Sequence, residues 1–231
     1  MLDLAGTIAT AGLMVFITTT LAIFLDITRG AKLALSAIMG LWIGVCAAAA
    51  ADGVIATSRP FPFIGIFIAL PLAAAAIATA WPAARKAMLS LPIQVMLGLN
   101  VGRLLAVFFL LLAAEGRLAG PFPYFAAGGD IITALVALPM MRLASTPSGP
   151  RIGTIAAWNL FGIADLVLAI TLGVISSEGS PLQVFHTPPG SEAMQQLPWS
   201  FVPTVLVPLW LILHAIIWAQ LRQRAQASQL R

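Results

Sequence analysis

LPIQVMLGLNVGRLLAVFFLLLAA, residues 91–114, is the stretch that decides the fold class. Gln94, Asn100 and Arg103 are its only strongly polar members. At 1.5 Å per residue a helix over this run spans the roughly 30 Å of a bilayer's hydrocarbon core. A guanidinium at mid-membrane is expensive, so Arg103 demands a partner. The same half of the chain places two carboxylates, Asp130 and Asp165, inside further apolar runs.

Working outward, the composition agrees. Of 231 residues, 60% are hydrophobic and 9% charged, with a net charge of +4. Soluble domains carry about 25% charged residues, so this chain belongs in lipid. Its basic residues stand in ones, twos and threes between apolar runs, which is an orientation signal, and a nucleic-acid partner is excluded. Ten of twelve basic residues are Arg, a bias associated with bacterial genomes of high GC content. The single cysteine, Cys46, lies within an apolar run, so no disulfide framework or thiolate metal cluster is expected. The N-terminal stretch has no basic leader, carries Asp3 and is too long for a signal h-region, so it reads as a retained span.

Seven segments are long and apolar enough to span: Leu4–Leu25, Leu33–Ile55, Phe61–Trp81, Ile93–Ala114, Pro123–Leu143, Thr154–Ser176 and Trp199–Leu221. Polar punctuation separates them, including Pro82 to Lys86, Ser145 to Pro150 and a long loop over Ser177–Pro198. The expectation is an all-α bundle of seven spans forming one membrane domain over residues 1–231. Pro92 leaves two readings for what precedes the fourth span: a long helix kinked there, or an interfacial segment leading into it.

Orientation follows from the basic residues. Arg29, Lys32, Arg85, Lys86, Arg142, Arg151, Arg222, Arg224 and Arg231 occupy alternate connections and the C-terminus. Arg59 and Arg117 alone stand on the other side, beside Asp3, Asp52, Glu115, Glu178 and Glu192. That asymmetry puts the N-terminus outside and the C-terminus in the cytoplasm, in a bacterial inner membrane. An odd number of spans is then required, and seven satisfies it.

Depth along the spans gathers the buried polar groups. Arg103 and Asp165 fall at span centres, and Asp130 about 5 Å to the outer side. Asn100, Asn159 and His214 fall roughly 5–9 Å to the cytoplasmic side. Asn100 and Arg103, at i and i+3, share a helix face, as do Trp158, Gly162 and Asp165. Gly162 would let another helix approach that face. One guanidinium against two carboxylates leaves one negative charge in excess. Two readings follow: Asp130, nearer the outer face, holds an exchangeable proton, or the three groups form a static lock that fixes helix register.

His214 also admits two readings, a hydrogen bond to a neighbouring helix or ligation of haem or a chlorin. His186 cannot pair with it on one haem, because it lies in the outer loop about 22 Å away. No other cofactor and no metal is expected. Both lysines, Lys32 and Lys86, fall in cytoplasmic loops, so the Schiff base of a rhodopsin cannot form. No nucleophile elbow, zincin helix or P-loop is present, and Ser148 reads as a turn residue. Glu178 and Glu192 read as solvated loop charges, and Trp81, Trp199, Trp210 and Trp218 as packing or interfacial residues.

The second half resembles a family of uncharacterised bacterial integral membrane proteins. The resemblance rests on Phe125-Ala126 before Gly129-Asp130, and on Trp158-Asn159, Gly162 and Asp165-Leu166. It continues through Leu197-Pro198, Pro203, Leu206-Val207-Pro208-Leu209 and Leu213-His214, covering roughly residues 95–220. That family has no assigned activity, so the resemblance implies architecture and marks the same polar positions.

Three functional readings remain. The polar cluster of spans four to seven moves or senses a small solute or proton. Alternatively the chain is an accessory or scaffold subunit, docking a protein partner through spans one to three or the 177–198 loop. The third reading, an enzyme acting on a lipid-like substrate, lacks a recognisable catalytic set.

Overall fold

The computed structural model describes residues 1–56, 63–145 and 151–229. Arg59, Ser148, Arg231 and the first two residues assigned to the third span lie outside the described residues. The regular structure among the described residues is helical, with no strand. We number the helices α1 (Leu2–Phe24), α2 (Arg29–Ala51), α3 (Phe63–Ala78), α4 (Pro82–Ser90), α5 (Ile93–Ala114), α6 (Phe122–Ala144), α7 (Ile152–Ser176) and α8 (Val207–Gln229). A π-helical turn, Val202–Leu206, leads into α8.

Six of these elements are long and apolar enough to cross a membrane: α1, α2, α5, α6, α7 and α8 with its π turn. That set is the signature of a multi-pass membrane protein. The seventh expected span differs. α3 has 16 residues, and α4 leaves it at a bend of 108°. The Pro82 to Lys86 stretch, read as loop punctuation, is the first half of α4. Pro82 sits at the first helical position, where its missing N–H is harmless, and Trp81 precedes it in extended backbone. Leu91 and Pro92 then break the chain again, so α5 starts afresh at Ile93, as the interfacial-segment reading expected.

Polar bonds pin both ends of the bundle. At the end carrying the 177–198 loop, Asp3 Oδ1 accepts from Arg117 Nη1 and from Trp199 Nε1, both at 2.8 Å. One carboxylate thereby ties the start of α1 to the α5–α6 connection and the approach to α8. At the opposite end Gln220 Nε2 donates to the Leu89 and Leu91 carbonyls, and Gln94 Nε2 to that of Ala144. These are backbone acceptors that the breaks around α4 and the end of α6 leave without a helical donor.

The core lies among α5, α6, α7 and α8. α8 is the central element, with 67% of its spanning window buried, whereas α2 has 11% and buries only Cys46. Two irregular turns interrupt the core helices. α5 narrows from α-helix to a 3₁₀ segment over Asn100–Ala106, and the π turn precedes α8. Such mid-helix departures mark strain or function.

Candidate functional site

Arg103 lies in the middle of the 3₁₀ segment and is fully buried. Asn100 makes that segment possible. Its backbone N–H turns to the Leu97 carbonyl, and its side-chain Nδ2 donates to the carbonyl of Met96, which an unbroken α-helix would have bonded to that N–H, at 2.9 Å. Asn100 therefore serves its own helix and stands outside the network around Arg103, although the sequence placed the two on one face.

The guanidinium is bonded on every nitrogen. Nε donates to Asp130 Oδ1 at 2.5 Å and Nη2 to Asp165 Oδ2 at 2.5 Å. Nη1 reaches the Gly162 carbonyl at 3.3 Å and His214 Nε2 at 3.1 Å. The Trp210 ring lies 5.9 Å from the guanidinium carbon, within cation–π range. Both carboxylates are over nine-tenths buried, so these are desolvated, charge-assisted contacts.

His214 has its tautomer set by these partners. Arginine only donates, so Nε2 must be the acceptor. Nδ1 then carries the proton and donates to Asn159 Oδ1 at 2.8 Å, while Asn159 Nδ2 donates to the His214 carbonyl at 3.2 Å. The imidazole is neutral in this arrangement. Both ring nitrogens are engaged, so a haem or chlorin on His214 would have to displace Arg103 or Asn159.

Two glycines make the space. A β-carbon on Gly129 would fall inside the Asp165 carboxylate, and one on Gly162 would stand 2.7 Å from His214 Nε2 and 3.2 Å from Arg103 Nη1. The approach expected at Gly162 is thus made by the α8 histidine and the α5 arginine. Trp158, on the same α7 face, packs against the His214 ring at 5.3 Å and donates to the Thr133 carbonyl at 3.0 Å.

Four helices therefore bring together five of the six sequence-predicted residues: Arg103, Asp130, Asp165, Asn159 and His214. Trp210 and Gly129 were not foreseen in this role. Trp210 carried no signal beyond its size, and Gly129 had one, its place immediately before Asp130.

A narrow cavity of about 70 Å³ leads from the loop end to this cluster. Ser177, Ser191, Met194 and Gln195, all buried, line its loop end, Phe109, Phe122 and Ile170 its walls, and Leu166 and Asp130 its deep end. Asp130 borders the cavity; Asp165 and Arg103 do not. Helical rise from Ser177 to Leu166 gives a shaft roughly 16 Å long. The 177–198 loop covers this end, where Gln195 Nε2 donates to Ser177 Oγ at 2.7 Å and Ser191 Oγ to the Gly173 carbonyl at 2.6 Å. Glu192, expected as a solvated charge, instead accepts from the Glu178 N–H and is half-buried.

Fold and site together define a class: a helical membrane protein built around a buried arginine–dicarboxylate–histidine cluster. Within that class the chain belongs to the family described as Domain of unknown function (DUF8737), whose model matches residues 60–222. The match takes in α3 and α4 as well as the four cluster helices, and leaves α1 and α2 outside. No curated protein and no solved structure matches the chain.

Proposed function

We propose that the chain is a seven-span protein of a bacterial inner membrane whose Arg103–Asp130–Asp165–His214 cluster, supported by Asn159, receives a proton or small solute from the outer side. α3 is the seventh span in this reading. It runs from the cavity mouth, where Ile64 lies near Ser177, toward the opposite end, where Thr79 meets Arg85. The bend before α4 lays that helix, with Arg85 and Lys86, along the cytoplasmic surface. The alternation of basic residues supports an outer N-terminus and an inner C-terminus.

The observation that carries the reading is the one-sided cavity ending on Asp130. A carboxylate shared with a single guanidinium, at the foot of an apolar shaft, is placed to exchange a proton or meet a solute. Infrared difference spectra of the protein in nanodiscs, acidic against alkaline, test it. A carboxylic-acid carbonyl band is expected that titrates and vanishes in Asp130→Asn. The band surviving unchanged in that variant sinks the reading.

The second reading, an accessory subunit, is favoured by the bareness of α2, which contributes so little to the core of this chain. Its test is whether a single polypeptide co-purifies at fixed stoichiometry and is lost when Leu41 and Val45 are replaced by larger residues.

A further inference from the structure

Resting on the reading of the cluster as a site that the cavity reaches at Asp130, we propose that the cavity above Asp130 binds a slim apolar molecule ending in a primary ammonium group. The ammonium seats on Asp130 and the apolar body fills the shaft.

Charge comes first. His214 is held neutral by Arg103, so against its two carboxyl groups the cluster has one fixed positive charge, and balance needs one more, from a proton or a bound cation. The charged or titratable groups facing Asp130 are Arg103 from α5, Asp165 from α7 and, through Arg103, His214 from α8. Among the described residues lining the cavity, α3, the π turn and the loop contribute no charged side chain. The missing charge is thus to be supplied along the shaft. An anion is repelled by Asp130, and a neutral ligand leaves the imbalance as it is.

Hydrogen bonding narrows the class. Asp130 Oδ1 is taken by Arg103, and no described residue donates to Oδ2. A carboxylate oxygen facing an apolar shaft calls for an N–H donor, which a primary ammonium has and a quaternary one lacks. The walls fit the rest of the molecule. Phe109 and Phe122, paired at 5.8 Å between ring centres, line the shaft above Asp130, with aliphatic side chains opposite. Aromatic rings attract a passing cation and pack an alkyl chain equally well. Ser177, Ser191 and Gln195 add polar groups at the loop end of the shaft.

The one bond that breaks in this step is the O–H of protonated Asp130. The ammonium occupies the place of the proton that balances the cluster, and that proton leaves to solvent, one for each ligand bound.

The test uses the full chain in phosphatidylcholine nanodiscs with heptylammonium, heptanol, heptanoate and heptyltrimethylammonium as probes. Calorimetry, corrected with empty nanodiscs, is read beside the fluorescence of the cluster tryptophans. Saturable binding of heptylammonium with release of one proton is expected, and binding about tenfold or more weaker for the trimethyl analogue. Heptanol and heptanoate should only partition. Asp130→Asn should abolish the saturable phase. Ala169→Phe, which narrows the shaft without touching the cluster, should abolish it too while the infrared carboxyl band persists. Equal binding of the amine and the alcohol, saturable binding of heptanoate, or wild-type affinity in Ala169→Phe overturns the proposal. Loss of amine binding with the infrared band intact rejects the ligand and leaves the proton site standing. Saturable amine binding without proton release or a titrating band rejects the proton site and overturns the exchange step.

Discussion

The two ends of the cluster use the same chemistry for opposite purposes. At one end Asp130 meets Arg103 and also borders the cavity. At the other, Asp165, His214 and Asn159 are closed in by Gly129, Gly162 and Trp158, and the histidine has a partner on each ring nitrogen. The sealed end positions; the open end is available to exchange. Arg103 belongs to both, so whatever changes the charge at Asp130 is felt at Asp165 and His214 through one guanidinium. A static lock alone would have no use for the cavity.

The hardest blow to both ends is the loss of Arg103. Arg103→Met leaves two buried carboxylates without their cation and should cost about 3–5 kcal/mol. Thermal unfolding in nanodiscs reads the loss. The comparison sharpens in a triple variant that adds Asp130→Leu and Asp165→Leu. With all charge gone the bundle should regain most of its stability, since apolar replacement of an entire buried ion group is often neutral or favourable. If the triple variant is no more stable than Arg103→Met, the cluster's contribution is packing geometry and not charge balance.

Neighbouring glycines separate the sealed end from its surroundings next. Gly129→Ala drives a methyl into the Asp165 carboxylate, which Arg103 holds in place, and should cost about 2–3 kcal/mol. Gly128→Ala, one residue earlier on α6, meets nothing within 4 Å and should be neutral or stabilising by up to about 1 kcal/mol. Equal effects at the two positions would refute the close approach at Gly129. Asn159→Leu is gentler. It strands the Nδ1–H of His214 and should cost about 1–2 kcal/mol. The nitrogen-15 shifts of the imidazole should show whether the proton has moved to the other nitrogen.

Much of this arrangement was legible in the sequence because hydrocarbon makes polar residues conspicuous. Arg103, Asp130, Asp165, Asn159 and His214 could be gathered by counting depth along apolar runs, and α5 covers Ile93–Ala114, the bounds expected of the fourth span. Helix faces were less secure. The reading of Asn100 beside Arg103 assumed a regular α-helix, and the side chain instead repairs the switch to a tighter turn. α4 was missed because a nine-residue helix lying across the bundle has no long apolar run to announce it. The cavity was invisible for a different reason. It is bounded by residues from α3 to α8 that look like ordinary lipid-facing bulk until their tertiary neighbours are known.

The smallest expected effect tests whether the open end is held open by a peripheral helix. Pro208 has no N–H for the Thr204 carbonyl four residues before it, and Trp42 of α2 supplies the donor instead, at 3.1 Å. That bond secures the π turn whose Val202 and Pro203 form one wall of the shaft. Trp42→Phe keeps the ring and removes the donor, so global stability should fall by only about 1 kcal/mol. The local consequence should be larger than the global one. Amide exchange over residues 202–206 should quicken while the amides around Asp165 keep their protection, because the sealed end has no contact with Trp42 to lose. Faster exchange at both ends would mean that the turn and the cluster open as one unit, and the division between a sealed end and an open one would have to be given up.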